Sequence, residues 1–162
     1  MTNDPNSLDE VVKGLAAEIA AIRKDAPEAA AAAEPFRDPF LELLVLCLGN
    51  LYGKIPLPSS LFDRAMLRAV SAHLSDSDAG QLATRTEDWI RLEGLVRVMD
   101  GQKSYTLNRP AFAALSTRTD RGSLGEVMER IASCYVRQQP TPELRRLTRE
   151  LASYFMTRLG RS

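Results

Sequence analysis

The chain has 162 residues, with 21 Lys plus Arg against 21 Asp plus Glu and a single His, so its formal net charge is zero. That balance speaks against a protein that coats nucleic acid through bulk positive charge and against an acidic solvating tail. At 44% hydrophobic and 26% charged residues the composition is that of a globular protein with a proper core, and disorder along the whole chain is excluded.

Near the N-terminus Ser7 and Glu10 form an S-x-x-E capping box that opens a first helix. Leu8, Val12, Leu15, Ile19 and Ile22 then recur at spacings of four and three, a heptad-like seam of about two heptads. Such a seam is too short to hold a coiled coil alone and needs a partner surface, either the chain's own core or a second copy. Residues 25–35, DAPEAAAAAEP, read as a linker because two prolines bracket an alanine run with little to bury. Asp38 as N-cap and Pro39 in the first turn open a second helix over about 39–52. It is apolar almost all round and is expected to be the central core helix. With Glu42 and Asn50 inside it, this longest apolar run falls short of the ~20 residues that span a bilayer. The leading MTNDPNSLDE has no apolar signal core, so a cytoplasmic protein with no membrane partner is expected.

GKIPLP breaks the core helix, and Ser60 with Asp63 is expected to start a third helix that runs to about Leu74 and carries Arg64 and Arg68 on its exposed edge. After the turn SDSD a fourth helix is expected over about 79–93, leading into Gly94. The period then changes. Residues 95–99 (LVRVM) and 104–108 (SYTLN) flank DGQK, and Asp-Gly favours a tight hairpin turn. Arg109-Pro110 ends the hairpin, a brief helix covers 111–115, and STRTDRG reads as a polar loop. Ser123 and Glu126 make another capping box, with Leu124, Val127, Met128, Ile131 and Tyr135 on one helical face. Thr141 and Pro142 then cap a last helix that buries Leu144, Leu147, Leu151, Phe155 and Leu159, and the two are expected to form an antiparallel helical hairpin.

Residue chemistry excludes more than it offers. Cys47 and Cys134 lie far apart in apolar helical patterns and read as small buried hydrophobes, not as a disulfide or a thiolate metal site. The lone His73 rules out a two-His metal motif and reads as a half-buried packing residue. The glycines form no phosphate-cradling pattern. No metal, no cofactor and no enzymatic activity are expected.

Three helices followed by a two-stranded hairpin and a small helix resemble a winged helix-turn-helix. The likeness rests on residues 94–115, GLVRVMDGQKSYTLNRPAFAAL, which are similar to the recognition-helix end, wing and following helix of bacterial winged-helix repressors. In those proteins a Gly-Leu-Ile/Val stretch precedes the second strand, and a Tyr-x-Leu-Thr/Asn strand leads to an alanine-rich turn. The resemblance covers about 39–115 and is strongest over 82–115. It implies a mainly α fold with a small β-hairpin: a winged core over 36–117, flanked by an N-terminal amphipathic helix and linker over 1–35 and a C-terminal helical hairpin over 118–162.

On the expected recognition helix, Ala79, Leu82, Thr86, Trp89 and Ile90 face the core, with Trp89 as a core anchor, and Gln81, Thr84, Glu87, Asp88 and Arg91 face outward. Gln81, Thr84, Arg85 and Arg91 suit base or phosphate contacts, and Arg97, Lys103 and Arg109 on the wing suit phosphate, whereas Glu87 and Asp88 would repel a polyanion. Arg145, Arg146 and Arg149 cluster on one side of the last helix, where a solvated or ion-paired face is the plain reading. The expected function is a DNA-binding transcriptional regulator that binds double-stranded DNA as a homodimer, held through Leu8, Val12, Leu15, Ile19 and Ile22 with Leu147, Leu151 and Phe155. The alternative is a non-enzymatic winged-helix subunit that docks a protein partner.

Residues 1–42 carry 4 basic and 9 acidic side chains and residues 118–162 carry 9 and 5, while the stretch between is nearly neutral. Any DNA binding must therefore come from the placement of a few arginines and not from bulk charge.

Overall fold

The computed structural model of the chain describes residues 14–15, 37–99, 104–119, 122–137 and 139–160. The seam positions Leu8, Val12, Ile19 and Ile22, the linker 25–35 and the DGQK turn with Gln102 and Lys103 lie outside the described residues. The fold is mainly helical with small antiparallel hairpins. Its elements are α1 (Arg37–Lys54), α2 (Arg64–Ser71), α3 (Asp76–Leu92), β1 (Val96–Val98), β2 (Tyr105–Leu107), α4 (Arg109–Leu115), β3 (Arg118–Thr119), β4 (Gly122–Ser123), α5 (Leu124–Arg137) and α6 (Pro142–Gly160).

The apolar α1 is the axis of the molecule. Its side chains are buried from Leu41 to Leu48 without interruption, and again at Leu51, because α5 packs along it most heavily and α6, α2, α3 and β2 close the remaining sides. Burial all round is what an all-round apolar helix requires. The close approach of α5 depends on glycine: a Cβ on Gly49 would stand 2.5 Å from the backbone carbon and oxygen of Met128. On the opposite helix, a Cβ on Gly125 would stand 2.5 Å from the Tyr52 ring, whose hydroxyl meets Ser123 Oγ at 2.9 Å.

Four boundaries differ from the sequence expectation. Helix α1 begins at Arg37, so Asp38 sits in its first turn instead of capping it. Helix α2 is capped by Asp63, which accepts from the Met66 amide, and ends at Ser71; Ser60 does not start it. The reason is tertiary. Ser59 exchanges two backbone hydrogen bonds with Tyr105, at 2.9 and 2.7 Å, and Asn50 Nδ2 donates to the Ser60 carbonyl at 2.9 Å, so this stretch is held extended. SDSD is no turn: Ser75 caps α3 by accepting from the Asp78 amide, and the helix starts at Asp76. Arg109-Pro110 begins α4 instead of merely closing the hairpin, as a proline at a first-turn position permits.

The hairpin pairs Val96 with Leu107, Arg97 with Thr106 and Val98 with Tyr105. Val96 is buried, whereas Val98 is 48% exposed and does not pack beneath the hairpin. Gly94 leaves α3 in the left-handed region at φ +69°, the conformation expected for its C-cap. In the stretch read as a polar loop, β3 and β4 pair Arg118 with Ser123 and Thr119 with Gly122. The capping box at the start of α5 forms in full: the Glu126 amide donates to Ser123 Oγ at 3.2 Å and the Ser123 amide to Glu126 Oε1 at 3.1 Å. Thr141 Oγ1 likewise accepts from the Leu144 amide at 3.1 Å.

Helices α5 and α6 both pack on α1, and their buried residues belong to the same core cluster as those before residue 117. That core takes in Leu15, 1% exposed, together with Leu147, Leu151 and Phe155. These four residues, expected at a dimer interface, are buried within the single chain.

Candidate functional site

Helix α3 owes its orientation to an inner face of Leu82, Thr86 and Ile90, all buried, with the Thr86 hydroxyl returned to the Leu82 carbonyl at 2.7 Å. Trp89 is half-buried and meets Phe40 edge-on at 5.3 Å, so it anchors α3 against the start of α1. Ala79 is half-buried and belongs to the edge of that face. The opposite face exposes Gln81, Thr84, Asp88 and Arg91, spaced three, four and three residues apart, with Arg85 beside them.

Glu87 departs from the expectation that it points outward. It is half-buried and accepts a hydrogen bond from the Tyr105 hydroxyl. Burial, with this carboxylate against it, pushes the Tyr105 hydroxyl up to about 12. Tyr105 therefore ties three pieces together: its backbone bridges Ser59, its strand pairs with β1, and its hydroxyl holds α3. Of the two acidic residues expected to repel a polyanion, only Asp88 remains on the outer face of the helix.

At the base of the hairpin Arg97 and Arg109 are both exposed and flank a shallow cleft of about 380 Å³ floored by Leu107, Asn108 and Pro110. Asn108 shapes that floor by donating from Nδ2 to the carbonyls of Gly94 at 2.9 Å and Val96 at 3.1 Å. The structure thus places Gln81, Thr84, Arg85 and Arg91 on one helix face and Arg97 with Arg109 at one end of the hairpin. Lys103 lies outside the described residues.

A second polar centre pairs an acid of the N-terminal segment with the basic last helix. Glu42, 2% exposed within the apolar α1, accepts from the Tyr135 hydroxyl at 2.8 Å, Arg145 Nη1 at 3.0 Å and Arg149 Nη1 at 3.4 Å. Burial raises the Glu42 carboxyl above the ordinary carboxylate value, and Tyr135 and the two guanidinium groups pull it partway back. Arg145 also donates from Nη2 to the Ala69 carbonyl at 2.7 Å, so the cluster joins α1, α2, α5 and α6. The arginine cluster of the last helix is thus an ion-paired face, Arg146 pairing with Glu150 at 3.3 Å. The signals in the sequence were one carboxylate in an otherwise apolar helix and two arginines four residues apart.

An open cleft of about 410 Å³ lies beside this cluster, lined by Asp38, Glu42, His73, Gln139, Arg145 and Arg149 among others. His73 is exposed here and is not the half-buried packing residue that its spacing suggested, because α2 has already ended at Ser71. Both cysteines are buried and free, and burial raises their thiols above the usual value. Among the described residues no three His, Cys, Asp or Glu side chains gather to hold a metal ion, and no helix is long and apolar enough to cross a membrane. No known protein family, no curated protein and no solved structure matches this chain.

Proposed function

We propose that the chain is a winged-helix DNA-binding protein, a non-enzymatic transcriptional regulator that lays the outer face of α3 in the major groove of double-stranded DNA and sets its hairpin on the flanking backbone. The order α1, α2, α3, β1, β2 supports this reading. So does the Ser59–Tyr105 bridge, which adds a third extended segment beside the hairpin, between α1 and α2 in the chain. The observation that carries it is the Tyr105–Glu87 link, which takes one carboxylate off the outer face and holds α3 against the hairpin. Gln81 and Thr84 then sit toward the leading half of α3, where a recognition helix meets base edges, with Arg85 and Arg91 for phosphate or guanine. Arg97, Arg109 and Lys103 supply the wing contacts. Leu15, Leu147, Leu151 and Phe155 serve the chain's own core, so a homodimer reading two half-sites pairs through other residues.

Fluorescence anisotropy with pooled genomic fragments across a salt series tests this. With about four phosphate contacts, log K falls against log salt with a slope of roughly −3 to −4, and Arg91→Ala or Arg97→Ala reduces that slope by about 1. Absence of binding at low salt, or binding indifferent to salt, refutes it.

A second reading, a module that docks a protein partner, is favoured by Leu92 at the end of α3, 84% exposed, and by Val98 on the next strand, 48% exposed. A stoichiometric native partner that is lost on Leu92→Asp but retained on Arg91→Ala would select it.

A further inference from the structure

Of the outward positions of α3, Gln81, Thr84 and Arg91 have plain counterparts on DNA, and Asp88 does not. At 3.6 residues per turn the four fall within an arc of about 80°, and Asp88 lies inside it, between Gln81 and Thr84. A ligand that meets the other three must meet this carboxylate as well. Asp88 and Arg91 are both exposed, and among the described residues neither side chain is engaged in a hydrogen bond or an ion pair. Besides burial and Glu87, the Tyr105 hydroxyl feels both Arg91 and Asp88, so the two charges stand close to the link that fixes α3.

We propose that Asp88 and Arg91 together read one C·G base pair in the major groove, an inference that rests on the DNA-binding reading above. Phosphate and the acceptor edge of guanine repel a carboxylate; the donors that the groove offers it are the exocyclic amines of cytosine and adenine. Adenine sets its N7 acceptor beside that amine, which suits an amide side chain, whereas cytosine offers the amine alone. The guanine paired with that cytosine turns O6 and N7 to the same groove, two acceptors that match a guanidinium fork. Side chains three residues apart on a helix leave from Cβ atoms about 5–6 Å apart, near enough to converge on the two halves of one pair. Arg91 thus offsets the repulsion at Asp88, and Asp88 turns that repulsion into a filter against other sequences.

The test is selection of duplexes from a randomised library by the full chain, followed by fluorescence anisotropy on the selected site. That site contains a fixed C·G pair, and inverting the pair to G·C weakens native binding roughly 10–100-fold, because Asp88 then faces O6 and N7. Both side chains are exposed, so Asp88→Ala and Arg91→Ala leave the core intact. Asp88→Ala removes the inversion penalty, since Arg91 reaches a guanine on either strand, and it binds unrelated duplexes more tightly than the native chain. Arg91→Ala weakens binding to the selected site but keeps the preference for cytosine on the same strand. An inversion penalty that persists in Asp88→Ala, or a selected site without a fixed C·G pair, overturns this inference alone. A native chain that binds no duplex at low salt overturns the DNA-binding reading and this inference with it.

Discussion

Replacing Gly49 by Ala tests the central packing of the molecule. In an exposed helix interior this substitution stabilises by about 1 kcal/mol, because alanine loses less backbone entropy than glycine. At Gly49 the added methyl would sit 2.5 Å from the carbon and oxygen of Met128 and 2.8 Å from the amide nitrogen of Glu129, all backbone atoms that cannot rotate away. Restoring ordinary contact requires α1 and α5 to separate by about 1 Å, and a gap of that size forfeits a quarter to a half of each neighbouring dispersion contact. Overpacking of this kind costs about 3 kcal/mol. The net expectation is a loss of about 2 kcal/mol, read as a fall in Tm of roughly 4–8 °C and as a lower urea midpoint at unchanged m. Gly80→Ala in α3 is the matched control, since nothing lies within 4 Å of the position its methyl would take, and it should gain about 1 kcal/mol. If both variants are stabilised alike, the close crossing of α1 and α5 is not what the structure describes and the argument fails.

Other expectations follow from the buried network and the caps. Arg145→Ala leaves Glu42 short of one partner and the Ala69 carbonyl without its donor; chemical denaturation should show a loss of about 3 kcal/mol, and an effect below 1 kcal/mol would mean that the pair contributes little. Because the folded Glu42 carboxyl lies above its unfolded value, its favourable contribution is complete below the unfolded value near 4.5 and fades as pH rises through the folded one. The stability of the native chain relative to Glu42→Gln should therefore fall as pH is raised across that window, and a rise would reverse the sign of the reasoning. Glu126 is the opposite case: Ser123 holds its carboxyl below the ordinary value, so its contribution is present above 4.5 and lost on acidification, and Glu126→Gln should remove that acid-side loss. Ser75→Ala removes the hydroxyl that caps α3 and should cost about 1 kcal/mol in the same unfolding assay.

Local chemistry made part of the fold legible. Gly94, the Ser123–Glu126 box, Thr141 with Pro142 and the β1–β2 hairpin each depend on residues a few positions apart, so their physics is contained in a short window of sequence. The all-round apolar character of α1 likewise announced a central helix. The outer face of α3 was mostly legible too, because helical periodicity alone separates Gln81, Thr84 and Arg91 from Leu82, Thr86 and Ile90.

What only tertiary structure decided came from distant partners. Ser60 satisfies a helix-start pattern, yet Ser59 is drawn into pairing with Tyr105, and the cap of α2 falls three residues past the expected one as a result. Glu87 has an outward helical phase, but the Tyr105 hydroxyl turns it to the hairpin. Glu42 could be read only as a blemish in an apolar run until Tyr135, Arg145 and Arg149 came from the far end of the chain to meet it. Leu147, Leu151 and Phe155 form an apolar stripe that periodicity cannot assign to a core or to a second copy; α1 settles it by covering them within the chain. A stripe, a lone carboxylate or an unpaired edge states what must be satisfied, and which group satisfies it is a matter of three-dimensional placement.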